Sequence, residues 1–258
     1  MQLKDKVVVV TGAGSGIGAA FARRFTQEGA KVVVTDQNRA GLDAVAREIQ
    51  SVGFAGDITS TETIDTVVAL AREAYGEIDV WYSNAGYSGP RTPGELGPDE
   101  VWELGWELHV MSHVRAARAV LPSMLERGEG YLLNTASVTA LTMQMDKAFY
   151  TVSKTGALSV AEWLAATYGP QGIKVSCFCP GAMLTPMLLS NNFPADHPIL
   201  STAMTPEAVA DLLVQAIDEE RFLILDSATA TEALAAKAAD YDAWIAQMAE
   251  ASAAMRAQ

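Results

Sequence analysis

Apolar residues fall along this chain in two alternating rhythms. Unbroken runs such as Val7-Val8-Val9-Val10 and Val32-Val33-Val34 are separated by longer stretches whose apolar positions recur with helical spacing. Short continuous runs suit strands covered on both faces, and the helical stretches suit helices that bury one stripe. The pattern predicts strands over residues 6–10, 31–35, near 54, 79–83, 131–135, 174–179 and 222–225. Helices are predicted over 17–28, 39–49, 62–75, 98–126 and 206–219, with a further one carrying Tyr150 and Lys154 and a looser segment over 180–205. Such alternation implies an α/β fold, a doubly wound parallel sheet with helices on both faces, because parallel neighbours need crossover helices. After the last strand, Leu234, Ala238, Tyr241, Ile245 and Met248 recur at four, three, four and three residues, which predicts an amphipathic helical tail.

No repeat or linker interrupts the pattern. The expected organisation is one domain over residues 1–226, containing a substrate loop at about 182–205, with residues 227–258 as its helical extension. The length of 258 residues with 50% hydrophobic content is sufficient for a large core. The tail can pack on its own subunit, cover the substrate entrance or join an oligomer interface; its polar face is not basic enough to favour a membrane surface. With 31 acidic against 18 basic residues the net charge is −13, which argues against nucleic acid or an anionic membrane as a partner. No apolar run approaches the ~20 residues of a membrane span, and the first residues lead into a strand instead of a signal-peptide core, so the expected compartment is cytoplasmic. Cys177 and Cys179 project from the same side of one strand at a spacing unsuited to a disulfide, and read as buried thiols.

The first strand ends in Thr11-Gly12-Ala13-Gly14-Ser15-Gly16-Ile17-Gly18. Glycines between a strand and a helix permit a sharp turn, a close approach to phosphate and a helix N-terminus that favours negative charge, which together suit the pyrophosphate of a dinucleotide in a Rossmann-like fold. Asp36 ends the second strand, where a carboxylate accepts hydrogen bonds from an adenosine ribose and repels a 2′-phosphate. This favours NAD over NADP, although the Arg39 guanidinium nearby is a group that binds phosphate. Capping of the next helix is an alternative use of Asp36, and Asn38 is an alternative cap.

Tyr150 and Lys154 are one helical turn apart, so they share a face and an ammonium can lie beside a phenol. A phenol with an ordinary pKa of ~10 then becomes usable near neutrality. Ser137 ends the strand-like run thirteen residues upstream.

Together these residues resemble the short-chain dehydrogenase/reductase family over residues 6–225, through the glycine turn, Asp57, Asn84-Ala85-Gly86, Ser137, Tyr150-x-x-x-Lys154 and Pro180-Gly181 with Thr185. The resemblance implies that Asp57 and Ile58 border adenine, that Asn84, Ala85 and Gly86 border the cofactor and support the sheet, and that Pro180, Gly181 and Thr185 border the nicotinamide end. It further implies hydride transfer between a secondary alcohol or ketone and NAD(H), with Tyr150 as acid/base, Ser137 holding the substrate oxygen, and Lys154 lowering the phenol pKa and contacting the nicotinamide ribose. A homodimer or homotetramer is also implied. His109 departs from the pattern, standing where relatives carry an asparagine at a helix irregularity. Its imidazole can join the proton relay or simply pack. His109 and His113 have helical spacing for two metal ligands, but no third is apparent and no metal is expected. Met143, Gln144, Met183 and Met187 are the expected substrate contacts, in segments whose methionines suit an apolar ligand or, equally, core packing. The alternative of a different class is a cofactor-binding regulatory or structural protein with little turnover.

Overall fold

In the computed structural model, which describes residues 1–92 and 95–256, strands and helices alternate as the pattern requires. The order is β1 (Val7–Thr11), α1 (Gly16–Gln27), β2 (Lys31–Asp36), α2 (Arg39–Glu48), β3 (Val52–Ala55), α3 (Thr61–Tyr75), β4 (Val80–Ser83), α4 (Asp99–Trp106), α5 (Ser112–Arg127), β5 (Gly130–Thr135) and α6 (Ala148–Tyr168). It continues through β6 (Ile173–Cys179), α7 (Pro186–Leu189), α8 (Pro198–Thr202), α9 (Pro206–Asp218), β7 (Leu223–Leu225), α10 (Ala228–Ala239) and α11 (Tyr241–Arg256). All seven strands run parallel in the order β3-β2-β1-β4-β5-β6-β7.

Alternation within each strand divides the core into two layers. Val7 and Val9 of β1 join Trp81, Leu132 and the inner faces of α3, α5 and α6, while Val8 and Val10 join Tyr82, Leu133 and the inner faces of α1 and α9. Both faces of β1 are therefore dry, which is why its sequence is a continuous valine run instead of an alternating one. The strand order reverses between β1 and β4, and such a reversal opens a crevice beyond the carboxyl ends of the strands.

Three features differ from the sequence pattern. The predicted helix over 98–126 is divided into α4 and α5 by a π-helical turn, Glu107–Met111. The looser segment contains the short helices α7 and α8 and is tied by a parallel bridge between Met183 and Met204. The tail is two helices instead of one, broken at Asp240 (φ −150°, ψ 98°). Its predicted stripe does not form: Tyr241 is 58% and Ile245 49% exposed, whereas Trp244 between them is buried at 7%. The break resets the helical phase, so the spacing across it no longer defines one face. Residues 257–258 of the expected extension lie outside the described residues. Among the described residues, no helix is long and apolar enough to cross a membrane.

Candidate active site

A cavity of about 1370 Å³ occupies the crevice at the strand reversal. It exceeds the roughly 300–1,000 Å³ of an ordinary small-ligand pocket. Gly12, Ser15, Gly16, Ile17 and Gly18 form one wall. Gly12 has φ +66°, and a Cβ there would lie 2.7 Å from the Cα of Ala85; Gly18 packs so closely that a Cβ would lie 2.1 Å from the Gly12 carbonyl oxygen. Both positions require glycine, one for its backbone angle and its crowding, the other for crowding alone. Asn84 braces the reversal: its backbone N–H donates to Thr11 Oγ1 at 2.9 Å and its side-chain amide to the Thr11 carbonyl at 3.0 Å.

Asp36 also faces the cavity. Its carboxylate accepts from the Gly14 N–H at 2.9 Å and the Asn38 N–H at 2.8 Å, which fixes it at the end of β2. Asn38, not Asp36, caps α2, accepting from the Gly41 N–H. Asp57 lines the cavity beside Ile58, and its carboxylate also organises a local turn by accepting from the Thr59 N–H at 2.9 Å and hydroxyl at 2.8 Å.

Ser137, Tyr150 and Lys154 meet on the same cavity, together with Ala85, Gly86, Pro180, Gly181 and Thr185. Ser137 follows β5, and Tyr150 and Lys154 lie in the first two turns of α6. The Lys154 ammonium is 5.8 Å from the Tyr150 ring centroid and donates to the Thr135 carbonyl at 3.0 Å. Burial pushes Lys154 down to about 8, with Cys177 and Cys179 acting in the opposite direction. Burial also raises the Tyr150 phenol, against the smaller lowering influence of its hydrogen bond with Ser137. Burial sets the direction, because a phenolate loses hydration where its ring is enclosed. Cys177 and Cys179 are buried free thiols, their sulfurs 4.0 Å apart.

Of the residues singled out in the sequence, Gly14 and His109 do not line the cavity. Gly14 turns toward Asp36 and Leu42. His109 sits in the π-helical turn with 0% exposure. Its Nε2 accepts the Tyr87 backbone N–H at 3.0 Å, so the neutral ring carries its proton on Nδ1, which donates to Ser153 Oγ at 2.8 Å. The Ser153 hydroxyl then donates to the Tyr150 carbonyl at 3.3 Å. Both imidazole nitrogens are thus hydrogen-bonded within the fold.

His113, one turn further on, is buried with neither ring nitrogen hydrogen-bonded. Burial first, then the Lys154 charge, push it down to about 3 against an opposing influence from Asn134. Burial and Lys154 likewise hold His109 well below the ordinary range. An imidazole depressed in the folded chain contributes stability that is complete above the unfolded value of 6.5 and is lost as pH falls toward the folded value. By pH 5 the His113 contribution falls by about 2 kcal/mol. Melting temperatures between pH 7.5 and 5 are expected to fall less steeply for His113→Leu than for the parent; parallel slopes would remove His113 from the account.

The cavity is also lined by Met143, Gln144, Met183 and Met187 and by Ser88, Arg91, Asp146, Lys147 and Phe193. Ala251, Ala254 and Met255 of α11 also line it. Of the polar residues here, Ser88, Arg91, Asp146 and Lys147 were not singled out in the sequence.

The chain matches the short chain dehydrogenase family over residues 6–194. It is 35% identical to 1-deoxy-11-beta-hydroxypentalenate dehydrogenase of Streptomyces exfoliatus over 89% of this chain and 86% of that protein. Among solved structures it resembles 3-ketoacyl-(acyl-carrier-protein) reductase from Brucella melitensis complexed with NADH (TM-score 0.78, 29% identity, covering 86% of this chain and 96% of that one). It is equally similar in fold to L-sorbose reductase from Gluconobacter frateurii complexed with NADPH and L-sorbose (TM-score 0.78, 28% identity, covering 87% and 95%).

Proposed function

Because the chain belongs to the short-chain dehydrogenase family, a group of NAD(P)(H)-dependent oxidoreductases, we propose that it interconverts a secondary alcohol and a ketone with NAD(H), using Tyr150 as the acid/base. The observation that carries this reading is the meeting of Tyr150 with buried Ser137 and Lys154 on one cavity with the glycine turn and Asp36. The chain's residues fit a dinucleotide: the wall at Gly12 and Gly18 has no room for a Cβ, and the cavity exceeds a single small-ligand pocket. Gly12, Ser15, Gly16, Ile17, Gly18, Asn84, Ala85 and Gly86 would hold its phosphates and riboses, Asp57 and Ile58 its adenine, and Pro180, Gly181 and Thr185 its nicotinamide end. When bound, NAD supplies the hydride acceptor and a positive charge that favours a nearby phenolate.

In oxidation Tyr150 takes the hydroxyl proton while Ser137 orients the substrate oxygen. Lys154 places a charge beside the phenol ring and would contact the ribose. His109 is a positioning residue, linking the Tyr87 backbone to Ser153 and through it to the backbone of Tyr150. Met143, Met183 and Met187 give the substrate end an apolar wall that suits a hydrophobic alcohol or ketone, and Gln144 adds a polar contact. A homodimer or homotetramer in the cytoplasm belongs to the same reading, supported by the exposure of Trp106, Val152 and Trp163 on α4 and α6. The tail and the sheet are read as one domain.

The two relatives in complex differ in cofactor, so the preference for NAD rests on Asp36. Asp36→Ala removes the carboxylate that repels a 2′-phosphate, and is expected to lower the NAD-to-NADP ratio of kcat/KM by about tenfold or more. Steady-state rates with both cofactors check this; an unchanged ratio would remove Asp36 as the determinant.

A further inference from the structure

We infer that the substrate end of the cavity holds a carboxylate, so that the ligand is an apolar alcohol or ketone bearing one negative charge, paired with Lys147. The inference deepens the function proposed above and rests on its assignment of this end to substrate.

Lys147 is 3% exposed yet lines the cavity. Its ammonium donates to Ser88 Oγ at 3.1 Å, and none of the salt bridges among the described residues involves it. The neighbouring Asp146 is committed elsewhere: its carboxylate pairs with Arg91, which also lies over the Phe193 ring at 5.7 Å. Lys147, Arg91 and Asp146 therefore leave one net positive charge at this end, in a chain whose net charge is −13. Burial lowers the Lys147 pKa, with Asp146 opposing and Arg91 reinforcing the shift.

A cation withdrawn from water is costly unless an anion and hydrogen bonds compensate it. An ammonium has three donor hydrogens, of which the Ser88 contact uses one. Two remain for a ligand. The surrounding wall of Met143, Met187 and Phe193 can enclose an apolar body but offers no anion. Lys147 immediately precedes α6 and lies three residues before Tyr150, whereas Asp36 and Asp57 mark the adenine end assigned above. The anion that Lys147 meets accordingly belongs to the molecule whose oxygen reaches Tyr150, and not to the adenosine part of the cofactor. One unmatched positive charge selects a monoanion.

The test is isothermal titration of the full chain, with and without NADH, using 1-adamantanecarboxylate and the uncharged 1-adamantanemethanol. The carboxylate is expected to bind at least about tenfold more tightly to the parent, and in Lys147→Met the two should bind within about twofold of each other. Equal affinities in the parent, undetectable carboxylate binding, or a preference that survives Lys147→Met would overturn the inference. The readout requires no turnover, so the anion site can fail while oxidoreductase activity stands, and the reverse.

Discussion

Tyr150→Phe is expected to reduce turnover by about 10²–10⁴-fold, the range contributed by a positioned acid or base, while NADH binding changes little. The substitution removes one hydroxyl from a ring that is packed edge-on against His109 at 5.5 Å and Phe149 at 6.3 Å between centroids, so the apolar shape of the site survives. Ser137 and Lys154 remain in their own roles, Ser137 orienting the substrate oxygen and Lys154 placing its charge beside the ring at residue 150. Steady-state turnover together with titration of NADH fluorescence separates chemistry from binding. Retention of more than about half of the parent rate would exclude Tyr150 as the principal acid/base.

Gly18→Ala is expected to destabilise the chain by roughly 3 kcal/mol or more, lowering the melting temperature by roughly 6–12 °C, and to weaken NAD binding. The new methyl would lie 2.1 Å from the Gly12 carbonyl oxygen, 2.6 Å from the Asn84 amide nitrogen and 2.8 Å from the Gly12 carbonyl carbon. Two of these are backbone atoms of the cofactor turn, and the third belongs to the side chain that ties β4 to β1. Relief can come only by moving the turn off the strand reversal. Thermal melts and cofactor titration check the prediction; a melting temperature within about 2 °C of the parent would mean that the turn yields easily.

The sheet was legible because β1, β2, β4, β5 and β6 bury most of their residues, and such strands read as continuous apolar runs. The glycine turn, Asp36 and the Ser137–Tyr150–Lys154 set were legible because their spacing fixes where they fall relative to strand ends and helix turns. The π-helical turn was not legible in the apolar pattern, since Glu107–Met111 keeps helical spacing and its irregularity shifts backbone bonding more than side-chain pattern; only the resemblance implied an irregularity at His109. His109 marked the place, but its partners, Tyr87 and Ser153, come from distant parts of the chain. The tail misled for a different reason. Its four-three spacing spans Asp240, where the extended backbone ends one helix and starts another, so Trp244 and not Tyr241 or Ile245 became the buried anchor. Lys147 was hidden by its surroundings, because a lone lysine among methionines reads as solvent-facing until the fold encloses it.

The most direct test of the central claim is NADH absorbance during incubation of the full chain with a panel of hydrophobic secondary alcohols and ketones, some carrying a carboxylate, with NAD or NADP(H) as the alternative cofactor. The account predicts NADH formation from at least one secondary alcohol and its consumption with the matching ketone, faster than with NADP(H) and lost in Tyr150→Phe. Tight NADH binding without turnover across the whole panel would contradict it and favour a cofactor-binding protein of little catalytic activity.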